Sequence, residues 1–309
     1  MKTNTHYVRE YHGKWILSGE HAVTRGHSAI VVPFHEKTYL FEYHKTNKPL
    51  QLNFYGTDCD LVQPHLDDML KQTLKHAQTP ADQIQGNIQI NNQIPLGIGL
   101  GFSAVWSTSF AEWLIATNLS NEPIFELAQS IENYFHAGCS SGLDIHGIQS
   151  DLPVHFKPNH RNQAFTPTWQ PHIYIQNLHQ RALTQDAIKR VHAFQKSNPA
   201  QSQYLDDAMQ KSVDLAIVAL QLEDLTEAHE LLKESMRISQ DCYQQWGLSS
   251  RAIEKKLDRL IDLGAIATRI SGKGSGGIAI GFWPEKLDES FIHKHQLYPG
   301  FSFLGDQHV

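Results

Sequence analysis

Short runs of alternating hydrophobic and polar positions fill the first ninety or so residues of the chain. The runs are rich in β-branched and aromatic residues, which favour strands. They are KWILS (14–18), SAIVVPF (28–34), KTYLFEYH (37–44), LQLNFY (50–55) and NIQINN (87–92). We therefore predict a sheet in this part of the chain, interrupted by a helix over residues 64–77, where apolar residues recur at helical spacing.

Helical spacing dominates the chain after residue 100. The predicted helices cover residues 103–118, 122–136, 184–196, 204–221, 225–246 and 250–263. Three later runs have strand character, namely HIYIQNL (172–178), AIATRIS (265–271) and GGIAIGFW (276–283). The pattern predicts an α+β protein. The polar segment KPNHRNQ (157–163) is the candidate domain boundary.

Composition narrows the class of protein. With 309 residues and 40% hydrophobic content, the chain is long and apolar enough for a globular protein. It carries 26 Lys and Arg against 32 Asp and Glu without a basic stripe, so we expect no nucleic-acid partner. The uncharged stretch 93–111 contains too many glycines and hydroxyl residues for a membrane helix, so we expect no membrane partner. The first fifteen residues lack the apolar core of a secretory signal, which predicts a cytoplasmic protein.

The segment PLGIGLGFSAVWS (95–107) places Gly97, Gly99 and Gly101 at alternate positions before a predicted helix. Backbone amides at a helix N-terminus bind phosphate, and glycines allow an anion to approach the main chain. The spacing fits neither the dinucleotide fingerprint G-x-G-x-x-G nor the Walker loop. We predict an anion site here; the alternative is a helix–sheet contact that needs small residues.

Four segments together carry a resemblance. They are GKWILSGEHAV (13–23), PLGIGLGFSA (95–104), IENYFHAGCSSGLD (131–144) and RISGKGSGGIAIG (269–281). In this order they resemble the motifs of the GHMP kinase superfamily, and GEHAV and FHxGxxSGLD are most similar to its mevalonate kinases. The resemblance implies a two-lobed α+β fold with a strand-rich N-terminal lobe (1–165), a ferredoxin-like C-terminal lobe (166–309) and the active site in the cleft. It also implies ATP and Mg²⁺ as cofactors and a monomer or homodimer.

Two residues are implied to be catalytic. Asp144, in the S-G-x-D element, matches the aspartate that takes the proton of the acceptor hydroxyl. Lys14 matches the family lysine, whose charge stabilises developing negative charge and keeps Asp144 ionised. The alternatives are a helix-capping or turn aspartate and an exposed, solvated lysine.

The same resemblance implies a nucleotide site and a metal site. The nucleotide residues are Gly97, Gly99, Leu100, Gly101, Phe102, Ser103, Gly272 and Gly274. Ser103 and Glu132 match the metal ligands of the family. A hydroxyl and a carboxylate suit this role because Mg²⁺ prefers hard oxygen atoms. Ser103 could instead, or also, cap its helix, and Glu132 could lie on a solvated helix face.

On the acceptor side, the matching positions are Glu20, His21, Ser141 and Thr184. For Glu20 and His21 a purely structural role is the alternative. The implied reaction is phosphorylation of the 5-hydroxyl of mevalonate, a small-molecule alcohol. Two alternatives stay open: another kinase of this superfamily, acting on phosphomevalonate, homoserine or a sugar, and a catalytically silent relative that binds a metabolite.

Three positions depart from the family pattern. Phe102 stands where a serine is usual, HAGCSSG (136–142) has one residue more than the usual H-G-x-P-S-G and no proline, and Lys273 stands where a small residue is common. Phe102 either faces the phosphates, where it cannot donate a hydrogen bond, or packs into the protein as an apolar anchor.

Overall fold

The computed structural model describes residues 6–80, 84–136, 138, 140–180 and 184–301, without the side chains of residues 184–186. Its strands are β1 (His6–Ser18), β2 (Ala29–Pro49), β3 (Gln51–Gly56), β4 (Gln85–Asn92), β5 (Val154–Phe156), β6 (Gln163–Ala164), β7 (His172–Asn177), β8 (Ala267–Ser271), β9 (Ile278–Trp283) and β10 (Leu297–Pro299). Its α-helices are α1 (Cys59–Val62), α2 (Leu66–His76), α3 (Phe102–Ala116), α4 (Ile124–Phe135), α5 (Leu143–Ile148), α6 (Thr184–Ser197), α7 (Pro199–Gln221), α8 (Leu225–Gln245), α9 (Arg251–Asp262) and α10 (Glu289–His295). The α+β prediction is confirmed.

The contacts divide the chain into two compact units. The first unit consists of Met1–Gly13, His35–Leu96 and Gly101–Gln149, and the second of Lys14–Phe34, Gly97–Leu100 and Ser150–Val309. Neither unit is contiguous, because β1, β2 and the glycine segment each pass from one unit to the other. The segment 157–163, taken as the candidate boundary, joins β5 to β6 within the second unit. A division into lobes at residue 165 stays a prediction.

In the first unit, β4 lies between β3 and β2. It pairs in parallel with β3 and antiparallel with β2. Alternate side chains of β4, including Ile88 and Ile90, are buried, as expected for a strand with one face on a core. The other side of that core is helix α3, which is buried around almost its whole circumference and packs on α4 and α5. A helix with this burial positions its first turn, where the predicted nucleotide residues lie, on a rigid base.

In the second unit, β7 to β10 form an antiparallel sheet in the order β10-β7-β9-β8. Helices α6 to α9 connect β7 to β8, and α10 connects β9 to β10. This βαββαβ connectivity and strand order confirm the ferredoxin-like prediction. Strand β9 is buried on both faces, and the helices cover it with a core that includes Trp246, Ile253 and Leu257.

Several elements differ from the sequence-based prediction. The runs 28–34 and 37–44 form one continuous strand, β2, and the run 14–18 is only the end of β1. Helix α7 begins at Pro199 rather than at Tyr204, because a proline fits the first helical position. The short helix α5 was not predicted, since six residues are too few for a periodic pattern.

Candidate functional site

The three alternating glycines share one backbone conformation. Gly97, Gly99 and Gly101 have φ angles of 75°, 93° and 89°, in the left-handed region that other residues rarely adopt. Gly101 is also the N-cap residue of α3, which begins at Phe102. The alternation is therefore a backbone requirement of the turn into the helix. As in any α-helix, the first amides of α3 have no intrahelical acceptors, and no side chain caps them.

Within the second unit, two glycine segments that are far apart in sequence pack against each other. A Cβ atom added to Gly99 would lie 3.6 Å from the Cα of Gly272, and one added to Gly277 would lie 2.8 Å from the carbonyl oxygen of Ile98. The amide of Lys14 donates to the carbonyl of Leu100 at 3.0 Å. Three of the four segments that carried the resemblance thus contribute to one region of the second unit.

The amides of the β8–β9 loop are not equivalent. Those of Gly272, Ser275 and Gly277 donate to Glu20, to the carbonyl of Leu248 and to the carbonyl of Gln180, respectively. Among the described residues, the amides of Gly274 and Gly276 donate no hydrogen bond. Of the two predicted loop residues, Gly274 therefore has an amide available for an anion, whereas the amide of Gly272 is occupied.

Glu20 lies in a buried cluster with Arg269 and Tyr243. Its side chain is 3% exposed, and its Oε1 accepts from Arg269 Nη2 at 2.6 Å and from the amide of Gly272 at 3.2 Å. The Tyr243 hydroxyl donates to the carbonyl of Gly272. Burial and the charge of Glu20 raise the pKa of Tyr243, so the phenol keeps this proton. We call these three residues the Glu20 cluster.

The structural alternative for Glu20 thus has direct support, because one carboxylate oxygen fixes the β8–β9 loop. The other oxygen, Oε2, is buried and accepts no hydrogen bond from the described residues. If Glu20 contacts the acceptor as predicted, Oε2 is therefore the oxygen that makes the contact.

His21 holds the same loop from another side. It has a φ angle of 60°, its Nε2 lies 3.0 Å from the carbonyl oxygen of Lys273, and its ring packs edge-on against Trp246 at 5.3 Å. Because Nε2 must donate to that carbonyl, the proton is on this nitrogen. Burial lowers the pKa of the imidazole to about 4, so His21 is neutral near pH 7.

Lys14 is buried. Its side chain is 1% exposed, so the alternative of a solvated surface lysine is wrong. Lysine is almost never buried to this degree without a specific partner.

In the first unit, four side chains form a chain of polar contacts. Ser103 Oγ lies 3.4 Å from His136 Nε2, and the same nitrogen lies 3.5 Å from Glu132 Oε1. The other oxygen of that carboxylate, Oε2, accepts from the Ser140 hydroxyl. We call this arrangement the Glu132 chain. The two predicted metal ligands, which are far apart in sequence, therefore contact one imidazole nitrogen.

Both alternatives for these two ligands are wrong. Glu132 is 1% exposed, so it does not lie on a solvated helix face. Ser103 is the second residue of α3, and Gly101 is the N-cap of that helix. No side chain caps the helix, so Ser103 does not act as its cap.

Asp144 lies in the first turn of α5. The N-cap of this helix is Gly142, with a φ angle of 77°, and no side chain caps it, so the capping alternative for Asp144 is wrong. A Cβ on Gly142 would lie 2.6 Å from the ring of Phe125, which explains the glycine before Asp144. Ser141 Oγ accepts from the amide of Leu143 at 3.3 Å. Thr184 begins α6, and its side chain lies outside the described residues.

The Phe102 ring packs as an apolar anchor. It is 8% exposed and makes edge contacts with Tyr39 and Phe54 at centroid distances of 6.4 and 6.1 Å. If Phe102 binds the nucleotide as predicted, it therefore does so through its backbone amide and not through its ring.

Sequence reasoning did not single out Ser140, Tyr243 or Arg269. Ser140 lies inside the quoted S-G-x-D segment, and Arg269 begins the last quoted segment, so their proximity to motif residues was an available signal. Tyr243 gave none, because it is one aromatic residue within a long amphipathic helix.

Comparison with known proteins shows which family the chain belongs to. The models of the GHMP kinases N terminal domain and the GHMP kinases C terminal domain match residues 66–148 and 216–296, together more than half of the chain. The chain belongs to the GHMP kinase superfamily. GHMP kinases use ATP as the phosphate donor, and this chain is an ATP-dependent small-molecule kinase of that superfamily.

Similar proteins cover nearly the whole chain. Mevalonate kinases of Thermococcus onnurineus and Archaeoglobus fulgidus are both 25% identical to it, over 89% and 91% of this chain and 89% and 94% of their own. The crystal structure of L. major mevalonate kinase in complex with R-mevalonate has a TM-score of 0.75 at 23% identity and covers 96% of this chain and 92% of that one. Within the described residues, no helix is both long and apolar enough to span a membrane.

Proposed function

We propose that this GHMP kinase transfers the γ-phosphoryl group of ATP to the 5-hydroxyl of mevalonate, with Mg²⁺ as the metal ion. The observation that carries the phosphoryl-transfer site is the Glu132 chain, in which Ser103 Oγ and Glu132 Oε1 contact the same nitrogen of His136. The choice of mevalonate is supported by the relatives, which are named mevalonate kinases.

The donor set of the Glu132 chain fits magnesium. A buried carboxylate and a hydroxyl are hard oxygen donors, and Mg²⁺ in nucleotide sites takes one or two protein carboxylates together with phosphate oxygens and water. When bound with ATP, the ion neutralises charge on the β- and γ-phosphates. In this proposal, Glu132 and Ser103 hold it.

The nucleotide phosphates bind to main-chain amides. In the first unit, the first turn of α3 supplies amides that have no intrahelical partner. In the second unit, the amide of Gly274 donates no hydrogen bond among the described residues, and its role in nucleotide binding is part of this proposal. Such donors are fixed before the reaction, so they stabilise developing charge without reorganising.

The proposal assigns the catalytic roles that the resemblance implies. Asp144 accepts the proton of the acceptor hydroxyl, and Lys14 supplies a fixed positive charge. Glu20 Oε2 and Ser141 contact the acceptor. His21 contributes by holding the carbonyl of Lys273.

A coupled assay for ADP release tests the proposal. The full chain is supplied with MgATP and, separately, with mevalonate, phosphomevalonate, homoserine and galactose. Turnover with mevalonate that exceeds the other three supports the proposal. Preference for another acceptor would replace mevalonate, and no turnover with any acceptor, despite ATP binding, would favour the silent relative.

The Asp144→Asn variant tests the base in the same assay. The amide keeps the shape of the side chain but cannot accept the proton, so we expect turnover to fall by roughly 10²-fold or more while nucleotide binding survives. Near-normal turnover would exclude Asp144 as the base.

A further inference from the structure

Ser140 lies in the loop where this chain departs from the family pattern. The segment HAGCSSG has one residue more than H-G-x-P-S-G and lacks the proline. In the structure, Ser140 attaches this loop to helix α4 through its backbone. Its amide donates to Asn133 Oδ1 at 3.0 Å, and its carbonyl accepts from Gln129 Nε2 at 3.1 Å.

The Ser140 hydroxyl is oriented as well as positioned. Its oxygen accepts from the amide of Gly142 at 3.2 Å, and its proton is donated to Glu132 Oε2. A hydroxyl has one proton to donate, so the incoming bond from Gly142 favours directing that proton toward the carboxylate. A proline at this position has neither an amide proton nor a hydroxyl and makes none of these donor contacts.

This bond sets which oxygen of Glu132 faces which neighbour. Oε2 is engaged by Ser140, and Oε1 is then the oxygen on the side of His136 and Ser103. A carboxylate on a side chain with three rotatable bonds keeps one orientation only when both of its oxygens have defined neighbours.

We propose that Ser140 is a positioning residue that orients Glu132 for magnesium binding, in place of the proline-containing loop of the family pattern. This inference rests on the proposed function, in which Glu132 is a metal ligand. Partners of metal ligands typically change metal affinity by 10- to 100-fold when they are removed, so the effect of losing one hydroxyl is measurable.

The test measures metal binding without turnover. Mn²⁺ replaces Mg²⁺, and calorimetric titrations of the protein with the non-hydrolysable analogue β,γ-imido-ATP at a series of Mn²⁺ concentrations give the Mn²⁺ concentration at which nucleotide binding is half-maximal. We expect Ser140→Ala to raise the half-saturating Mn²⁺ concentration by about tenfold and to leave metal-free nucleotide affinity within about twofold. Ser140→Thr keeps the hydroxyl and should stay close to the wild type.

Ser130→Ala is the matched control. Ser130 lies on the same helix α4, and its hydroxyl donates to the carbonyl of His76 at 3.0 Å, away from the Glu132 chain. It should bind Mn²⁺ like the wild type. If Ser140→Ala does not fold, Ser140→Cys, which keeps the size but donates weakly, should still raise the Mn²⁺ requirement.

The outcomes separate this inference from the function on which it rests. Wild-type Mn²⁺ binding by Ser140→Ala, together with weakened binding by Glu132→Gln, would overturn the role of Ser140 alone. Wild-type Mn²⁺ binding by Glu132→Gln would overturn the metal site itself. An equal loss of metal-free nucleotide affinity in Ser140→Ala would mean that Ser140 only maintains the loop, which also contradicts the proposal.

Discussion

Glu20 in the second unit and Glu132 in the first are buried to nearly the same degree, 3% and 1% exposed, but they have different kinds of partner. Glu20 accepts from the guanidinium of Arg269, whose positive charge is permanent. The described partners of Glu132 are a serine hydroxyl and an imidazole, which is charged only when protonated.

The difference between these partners suggests a division of roles. A buried carboxylate whose charge is balanced by a buried guanidinium has a structural role. Removing either group leaves the other charge without compensation in surroundings of low polarity, which is strongly destabilising. A carboxylate oriented by a hydroxyl and an imidazole keeps an orientation that a divalent cation can use. The identity of the partners, more than burial, therefore distinguishes a structural carboxylate from a candidate metal ligand.

The largest expected effect is on protein stability, when Glu20 loses its partner Arg269. Arg269→Leu leaves the carboxylate of Glu20 buried without its guanidinium, so we expect the free energy of unfolding to fall by about 3–5 kcal/mol. Urea denaturation of the full chain measures it. The exposed Arg237, which pairs with Glu234 and Asp241 on the surface, is the control, and Arg237→Leu should cost less than about 1 kcal/mol. A loss below about 1 kcal/mol for Arg269→Leu would contradict the structural role of Glu20.

Exchanging each carboxylate for its amide sharpens the comparison. Glu20→Gln should lower the free energy of unfolding by about 3 kcal/mol, because the Arg269 charge loses its compensation, and should leave the magnesium requirement unchanged. Glu132→Gln should do the reverse and raise the Mg²⁺ concentration for half-maximal nucleotide binding by about tenfold, equivalent to roughly 1.4 kcal/mol. Calorimetric titrations at several Mg²⁺ concentrations measure the second effect. The comparison would fail if both variants changed the same property.

The smallest expected effect is the pH dependence contributed by His21. Its pKa is lowered by burial to about 4 in the folded protein, whereas an unfolded histidine titrates near 6.5. As pH falls below about 6.5, the unfolded state takes up a proton that the folded state does not, so stability is lost. His21 keeps part of its surface exposed to solvent, and we therefore expect a loss of about 1 kcal/mol between pH 7 and pH 5, less than the full shift implies.

Denaturation of wild-type protein and His21→Asn at both pH values isolates this contribution. The variant should show the shallower pH dependence, and His160→Asn, changed at an exposed position, should match the wild type. Equal slopes for wild type and His21→Asn would contradict the assignment.

Ser103 and Glu132 show what the sequence motifs can predict and what they leave open. The order of the four segments predicted both as metal ligands, but the sequence left open whether Ser103 caps a helix and whether Glu132 is solvated. Burial and the shared contact with His136 decided these questions, because they depend on how α3 packs on α4. Phe102 is a similar case, since its departure from the serine pattern became interpretable only when its ring was found among other aromatic side chains.

The sequence by itself determined what local periodicity and motif order carry: most strands and helices, the superfamily, and the candidate residues Lys14, Ser103, Glu132 and Asp144. Tertiary structure decided which partner each polar group has. Arg269 meets Glu20 across 249 positions of sequence, and only the fold of the second unit brings them to hydrogen-bond distance. A hydrogen bond depends on tenths of an ångström and on direction, and neither property is encoded in the spacing of residues along the chain.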